Sequence, residues 1–554
     1  MRYKKYSFLV LLAATLFVGG CKKSAFVDLN TDPNTLYSIK PEEQFLNAAI
    51  QAQGQDFEQF YDNYRRIMFW TQQSTANAGN GSVTLKTVGN FNSRYGIFYP
   101  GLGSILTDVQ VLISKLPAEE QTKYSQINAI ADIPKIYYAF YVSDINGSLA
   151  YKEAFQARYG GTLTPKYESQ QELFTMFDDR LKEVITALKA APSVPQVSLG
   201  SNDLYYKGDV AKWVKAANAL RLRMAMRLMK RDPAKMAAIA SEVLADPTNL
   251  MQNNEDGWVF YSDVSFTAGG NWAPDEFRAP KPTVDFMIAQ SDPRLRMFYK
   301  KNNYTQANIT AGIAAGVLPA GTTYNPNQYV GAPVSPDKVA TVKSWFVQKK
   351  VNDQLSLDTV SYLQWRMFQP ANNNGTGKSF FPLITYADEL FMRAELAARG
   401  VTTENAEQLY YSGIEASLKF FDNAASIAKL EDYSALTPAE ITAYKAAPAV
   451  VYNAAKAVEL IAVQAFIDFY KQPNEAWALY KRTGYPNSTT ALANENIMID
   501  GTLYQIPRRA ALSAPSSSDL NAANKQAALD DMAKDPDFGS GLDDLYGRVW
   551  WDKK

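Results

Sequence analysis

The feature that most limits the fold is a helical stripe in the middle of the chain. Over Asp209–Lys230, Trp213, Ala217, Leu220, Met224 and Leu228 recur at steps of four, three, four and four. An α-helix, with about 3.6 residues per turn, gathers such positions on one face. Asp209 at its start complements the helix dipole, and Lys215, Arg223 and Lys230 fall largely off the stripe. The same period predicts helices over Glu42–Trp70 (Phe45, Ala49, Phe57, Phe60, Tyr61 and Tyr64, despite Gly54), Gly101–Leu116, Tyr124–Val142 and Ser169–Ala191. It returns at Pro382–Gly400, Asn405–Ala424, Tyr452–Tyr470 and Asn474–Lys481. Within Pro382–Gly400, Glu389–Arg393 and Glu395–Arg399 are favourable i,i+4 pairs, and Gly400 is placed to end the helix. Thr71–Arg94 reads as a loop. Leu250–Gly377 is rich in Asn, Pro, Gly and aromatics, with weak periodicity, and reads as long loops with a few short strands and helices. The tail Ile506–Lys554 is mixed and polar. The chain is therefore expected to be mainly all-α. Helix pairs with Ala at close-approach positions suggest tetratricopeptide-like hairpins, interrupted by a loop-rich insertion at roughly 250–380.

Composition removes several chemistries. The chain has no histidine, so Ser–His–Asp catalysis, His general bases and His metal ligands are excluded. It has one cysteine, Cys21, so intrachain disulfides and cysteine zinc sites are excluded. Lys+Arg and Asp+Glu both number 56, which leaves no bulk charge to draw the protein to nucleic acid. No cofactor is expected. A cation held by oxygen ligands stays open, although no spaced Asp/Asn loop ending in Glu is present.

The N-terminus carries its own instruction. Arg2, Lys4 and Lys5 precede an apolar run, Phe8–Val18, that falls short of the roughly 20 residues needed to span a bilayer. It ends Val18-Gly19-Gly20-Cys21, and small residues before a cysteine resemble a lipobox. Residues 1–20 then form a signal peptide, Cys21 is the lipidation site, and 21–40 is a polar tether. No later segment is expected to reach the roughly 18 apolar residues of a membrane span.

Five segments, in order behind the lipobox, together resemble the SusD/RagB family of outer-membrane nutrient-binding lipoproteins. They are Asp28-Leu-Asn-Thr-Asp-Pro-Asn34, Lys212-Trp-Val-Lys-Ala-Ala-Asn-Ala-Leu-Arg-Leu-Arg-Met-Ala-Met-Arg227, Ser291-Asp-Pro-Arg-Leu295, Ile384-Thr-Tyr-Ala-Asp-Glu-Leu-Phe-Met-Arg-Ala-Glu395, and Glu475-Ala-Trp-Ala-Leu-Tyr-Lys-Arg-Thr-Gly-Tyr-Pro486 with Ile506-Pro-Arg-Arg509. The Asn-Thr-Asp-Pro-Asn opening is similar to that of the SusD-like branch. The resemblance implies a single α-helical domain over 41–554, built on four tetratricopeptide-like helix pairs, with the ligand site on the irregular insertion. It also implies a SusC-like TonB-dependent transporter as partner, an oligosaccharide or peptide as ligand, and lipid attachment to the outer membrane, facing the outside. Lys22, Lys23 and Ser24 depart from the acidic residues that often follow the lipid cysteine in surface-displayed members.

Sugars present flat C–H faces that stack on aromatic rings. The candidate contacts are Trp272, set in the turn-rich run Gly269-Gly270-Asn271 and Ala273-Pro274, with Asn271, Asp275 and Arg278 as polar partners. Trp70, Trp345 and Trp365 are further candidates. Trp213 and Trp477 lie in helices and read as core. Arg221, Arg223 and Arg227 read as salt-bridge partners of neighbouring helices. Asn372-Asn-Asn-Gly-Thr-Gly377 lacks the Gly-Lys-Ser/Thr of a phosphate loop. The leading function is a non-enzymatic binding module. The alternatives are a structural lid of the transporter and a carboxylate-dependent glycosidase, for which Asp178-Asp179, Asp388-Glu389 and Asp530-Asp531 are the available pairs, all read as solvated faces.

Overall fold

The computed structural model describes residues 39–53, 57–76, 85, 93–262, 277–368 and 377–554. Its α-helices of eight or more residues are α1 (Pro41–Gln53), α2 (Gly103–Ser114), α3 (Asp132–Asn146), α4 (Gln170–Lys189), α5 (Val210–Leu228), α6 (Pro233–Leu244), α7 (Lys281–Ala289), α8 (Gln306–Ala314), α9 (Tyr386–Ala398), α10 (Ala406–Ala428), α11 (Pro438–Lys445), α12 (Ala457–Asp468), α13 (Pro473–Thr483) and α14 (Ala522–Met532). The predicted stripe is α5. The Asp209 carboxylate caps it by accepting from the Lys212 amide at 3.2 Å, which satisfies a donor that every helix start leaves open. Ser169 and Glu172 cap α4 reciprocally, as a capping box.

These helices pack in pairs. α3 lies on α4, α4 on α5 and α5 on α6; α9 lies on α10 and α12, and α12 on α13. The pairing is mainly α and tetratricopeptide-like, as expected. α5 is covered on all sides, not on its apolar stripe alone, and Trp213 and Leu220 are fully buried. Its three arginines are buried with it, and two of them, Arg223 and Arg227, tie the two helical blocks together. Arg221 donates to Asp178 of α4 at 2.7 Å. Arg223 donates to Asp388 of α9 at 2.7 Å. Arg227 reaches Glu475 of α13 at 2.7 Å and Asp144 of α3 at 3.0 Å. One contiguous core extends from Phe45 to Trp551, so the polar tail folds back onto the helices.

Several boundaries differ from expectation for local reasons. The helix expected from Pro382 begins at Tyr386, because Ser379–Ile384 is a buried strand paired antiparallel with Trp258–Ser262. Thr385 and Asp388 form the capping box that sets the start, with Asp388 Oδ2 accepting from the Thr385 amide at 2.8 Å. Glu389–Arg393 and Glu395–Arg399 do form ion pairs, at 3.3 and 2.8 Å. Tyr124–Val142 divides into Ser125–Ile130 and α3, whose third residue is Pro134; a proline lacks the N–H that a continuing helix needs. Glu42–Trp70 divides into α1, a wide-turned run Phe57–Ile67 and the single turn Met68–Trp70.

The expectation that no later segment is apolar and long enough for a membrane also needs correction. Ser93–Ser114 meets that test by length and composition. It is bent at Gly101, which leaves helical geometry, and it buries Phe98, Leu102, Leu106 and Val109 in the core. Of the six acids read as solvated, three are not. Asp178, Asp388 and Glu389 are buried, each held by an arginine, because facing helices cover them; Asp179, Asp530 and Asp531 are exposed.

Candidate functional site

The insertion is rooted on a connected set of rings and short strands. Thr75–Ala76 pairs with Phe277–Arg278, and Trp258–Ser262 pairs with Ser379–Ile384, Ser262 standing opposite Ser379. Phe69 meets Phe277 edge to face at 5.5 Å, and Tyr64 meets Phe368 the same way at 5.0 Å. Tyr64 and Phe69 sit on consecutive helical turns. They therefore join the strand edge at Ala76 and Phe277 to the turn that ends at Phe368.

Lys471 closes this base from the scaffold side. Its ammonium is buried and donates to the Met367 carbonyl at 2.9 Å. It lies 4.2 Å from the centre of the Phe368 ring and 4.7 Å from that of Phe381, with Phe380 and Tyr64 slightly farther. Ring faces attract a cation, yet burial holds the Lys471 pKa well below the usual lysine range. Arg278 is buried with its guanidinium 3.9 Å above the Tyr362 ring, and the Tyr362 hydroxyl donates to Asp358 at 3.0 Å. Sequence reasoning did not single out Lys471, Phe368, Phe380, Phe381 or Tyr362. The aromatic doublet Phe380-Phe381 in a short β-rich run was the available signal.

The predicted contacts fall into three groups. Trp272, Asn271 and Asp275 lie outside the described residues, as does the lipidation site Cys21. Trp345, on the turn Lys343–Phe346, and Trp365, on the turn Trp365–Met367, are half-buried and keep accessible ring surface. The Arg366 guanidinium lies 5.3 Å from the Trp365 ring. Trp70 is corrected: it is 1% exposed and packs 5.0 Å from Trp477, so it is a core ring with no face left for a ligand. Arg278 is engaged under Tyr362, within the strand edge. Trp213 and Trp477 are buried, as read. Arg221, Arg223 and Arg227 serve the helix pairs and not a ligand.

The buried acids are electrostatically distinct. Burial alone pushes the Glu475 carboxyl up, but the Arg223 and Arg227 guanidiniums beside it bring it down to about 2. Glu389 has the opposite balance: burial outweighs Arg393 and lifts it to about 7. Asp468 is pushed well above the usual carboxylate range by burial and by the neighbouring Asp388 carboxylate. These acids lie between helices, where they fix packing. Among the described residues, no three Cys, Asp or Glu side chains gather closely enough to hold a metal ion.

The sequence matches the SusD-like family, described as starch-binding and associating with the outer membrane, over residues 33–510. Solved structures share the architecture. One is named a chitin-binding protein, with a TM-score of 0.70 and 23% identity over 93% of this chain and 100% of that one. A SusD homologue from Bacteroides fragilis gives 0.68 and 20% over 93% and 100%. A chitin-binding SusD homologue from Flavobacterium johnsoniae gives 0.63 and 20% over 92% and 98%. At these identities the likeness establishes the fold. No curated protein matches the chain in sequence.

Proposed function

The chain belongs to the SusD-like family, and on that premise we propose that it is a non-catalytic, lipid-anchored glycan-binding protein of the outer membrane that passes oligosaccharide to a SusC-like TonB-dependent transporter. The observation that carries the reading is the family match across nearly the whole chain, joined by two structural relatives named for chitin binding. The lipobox ending at Cys21 supports the anchor, and display on the outer face follows the family. The absence of histidine and the burial of Asp388 and Glu389 in ion pairs support a role without catalysis. Transport energy then comes from the partner.

In this reading Trp272, with Asn271, supplies a stacking platform, and Trp345 and Trp365 offer further ring surface. The ring-lined base supports the role of the insertion, since loops rooted on a rigid scaffold are where binding groups concentrate. The test is a titration of the protein with chitin-, starch- and cellulose-derived oligosaccharides and with peptides, followed by tryptophan fluorescence, with Trp272→Ala in parallel. Saturation by one oligosaccharide class, weakened at least tenfold in the variant, is expected. Saturation by peptides alone would overturn the glycan assignment. An unchanged affinity in Trp272→Ala would remove that ring from the site.

A further inference from the structure

A concave surface lies where the insertion meets the scaffold. It encloses about 400 Å³, within the range of roughly 300–1,000 Å³ typical of small-molecule sites. One wall is the end of α7, the turn Leu295–Phe298 and the loop carrying Tyr329. The other is the loop through Asp432 and Ser434 and the start of α11. Arg296 holds the walls together, donating to Glu440 at 2.7 and 3.2 Å and to the Ser434 carbonyl at 3.3 Å. Gln364 forms part of the floor and is fixed by its donation to the Arg296 carbonyl at 3.0 Å.

The lining has the chemistry of a sugar site. Tyr329 is half-buried, packed against the core, and lies beside Arg296 and Asp432. Lys301 and Asp432 also line the cleft, and neither forms an ion pair among the described residues. A ring with planar and charged hydrogen-bonding groups around it suits a molecule with an apolar C–H face and hydroxyls at its edge. The charges balance. Arg296 is neutralised by Glu440 and Asp292 by Arg294 at 2.8 Å, while Lys301 and Asp432 add one charge of each sign. Such a surface offers no net attraction to a polyanion. The two ion pairs from Lys300 and Arg366 to Glu431, both at 3.7 Å, place the Trp365 turn along the same wall.

Resting on the glycan-binding reading above, we propose that this cleft is a binding subsite for a neutral saccharide, with Tyr329 as the stacking platform and Asp432 and Lys301 as hydroxyl partners. A saccharide held there touches insertion and scaffold at once. The test is calorimetric titration of the purified protein with chitotriose, maltotriose and cellotriose, and with trigalacturonic acid as the anionic counterpart. Tyr329→Ala and Asp432→Ala are titrated alongside, with thermal melts to verify that both variants are folded. A neutral trisaccharide that binds the parent and is weakened at least tenfold by both substitutions is the expected result. Binding that stays within twofold in both folded variants overturns the cleft while leaving glycan binding intact. Tighter binding of trigalacturonic acid than of any neutral sugar overturns the neutral assignment. No heat from any of the four sugars removes the glycan-binding reading and the cleft with it.

Discussion

Replacing Glu475 with Gln tests whether the buried arginine network holds the two helical blocks together. The Glu475 carboxylate accepts from Arg227 at 2.7 and 3.0 Å and lies 3.7 Å from Arg223. Its pKa is held at about 2, against an ordinary 4.5, by those two guanidiniums despite complete burial. At roughly 1.4 kcal/mol per unit, that difference contributes about 3 kcal/mol at neutral pH. Removing one member of a buried pair costs about 3–5 kcal/mol by a separate route. The lower end applies here, because Arg227 keeps Asp144 and Arg223 keeps Asp388. With an unfolding entropy of roughly 2 cal/mol/K per residue, a loss of this size lowers Tm by about 3 °C in a chain of 554 residues. The assay is thermal unfolding of parent and Glu475→Gln at pH 7.5 and at steps down to pH 3. A depressed carboxyl pKa stabilises the fold above the unfolded value and loses that effect as pH falls through the folded one. The gap between the two proteins should therefore be full at pH 7.5 and narrow below about 4.5. Equal melting at pH 7.5, or a gap that widens in acid, would refute the reasoning.

Glu389→Gln should behave with the opposite sign. Its folded pKa of about 7 means the charged form destabilises the fold as pH rises from 4.5 through 7, so the variant should melt higher than the parent at pH 8 and lose that advantage at pH 5. Lys471→Met should raise Tm at neutral pH, because the ammonium is buried with a carbonyl and ring faces but, among the described residues, no carboxylate. The gain should shrink as pH climbs toward 10.5, where the unfolded lysine also loses its charge; a lower Tm at pH 7 would show that the cation–ring contacts outweigh burial. Gly377→Ala should cost about 1–3 kcal/mol, since Gly377 sits at φ +96° and an added Cβ would lie 2.6 Å from the Ala428 carbonyl oxygen; an unchanged melt would show that the α10 end yields.

Helices were legible wherever a stripe met a chemically marked start. Asp209 before α5 and Ser169 before α4 show both signals, and both helices stand where read. Pro382–Ile384 was misread because the end of a short buried strand and the first turn of a buried helix share an apolar pattern; the Thr385–Asp388 box was the mark that separated them. The arginines of α5 were legible as salt-bridge partners, but not which acids they meet. Asp388 is 165 residues from Arg223, and Glu475 is 248 from Arg227. Only packing of the two blocks makes them neighbours.

The same distance explains the limits at the site. Trp70 looked accessible because it ends a helix before a polar loop, whereas its cover, Trp477, is contributed by α13. Periodicity reports which residues require burial within one element; it carries no information about which loops meet. The cleft draws Arg296, Tyr329, Gln364, Asp432 and Glu440 from separate stretches, and no spacing rule links them. In the proposed cleft, ligand choice therefore rests on Tyr329 and Asp432, loop residues that no helical period marks. Neither residue is a partner of Arg221, Arg223 or Arg227, so the lining of the cleft can change while the arginine network that joins the helix pairs stays intact.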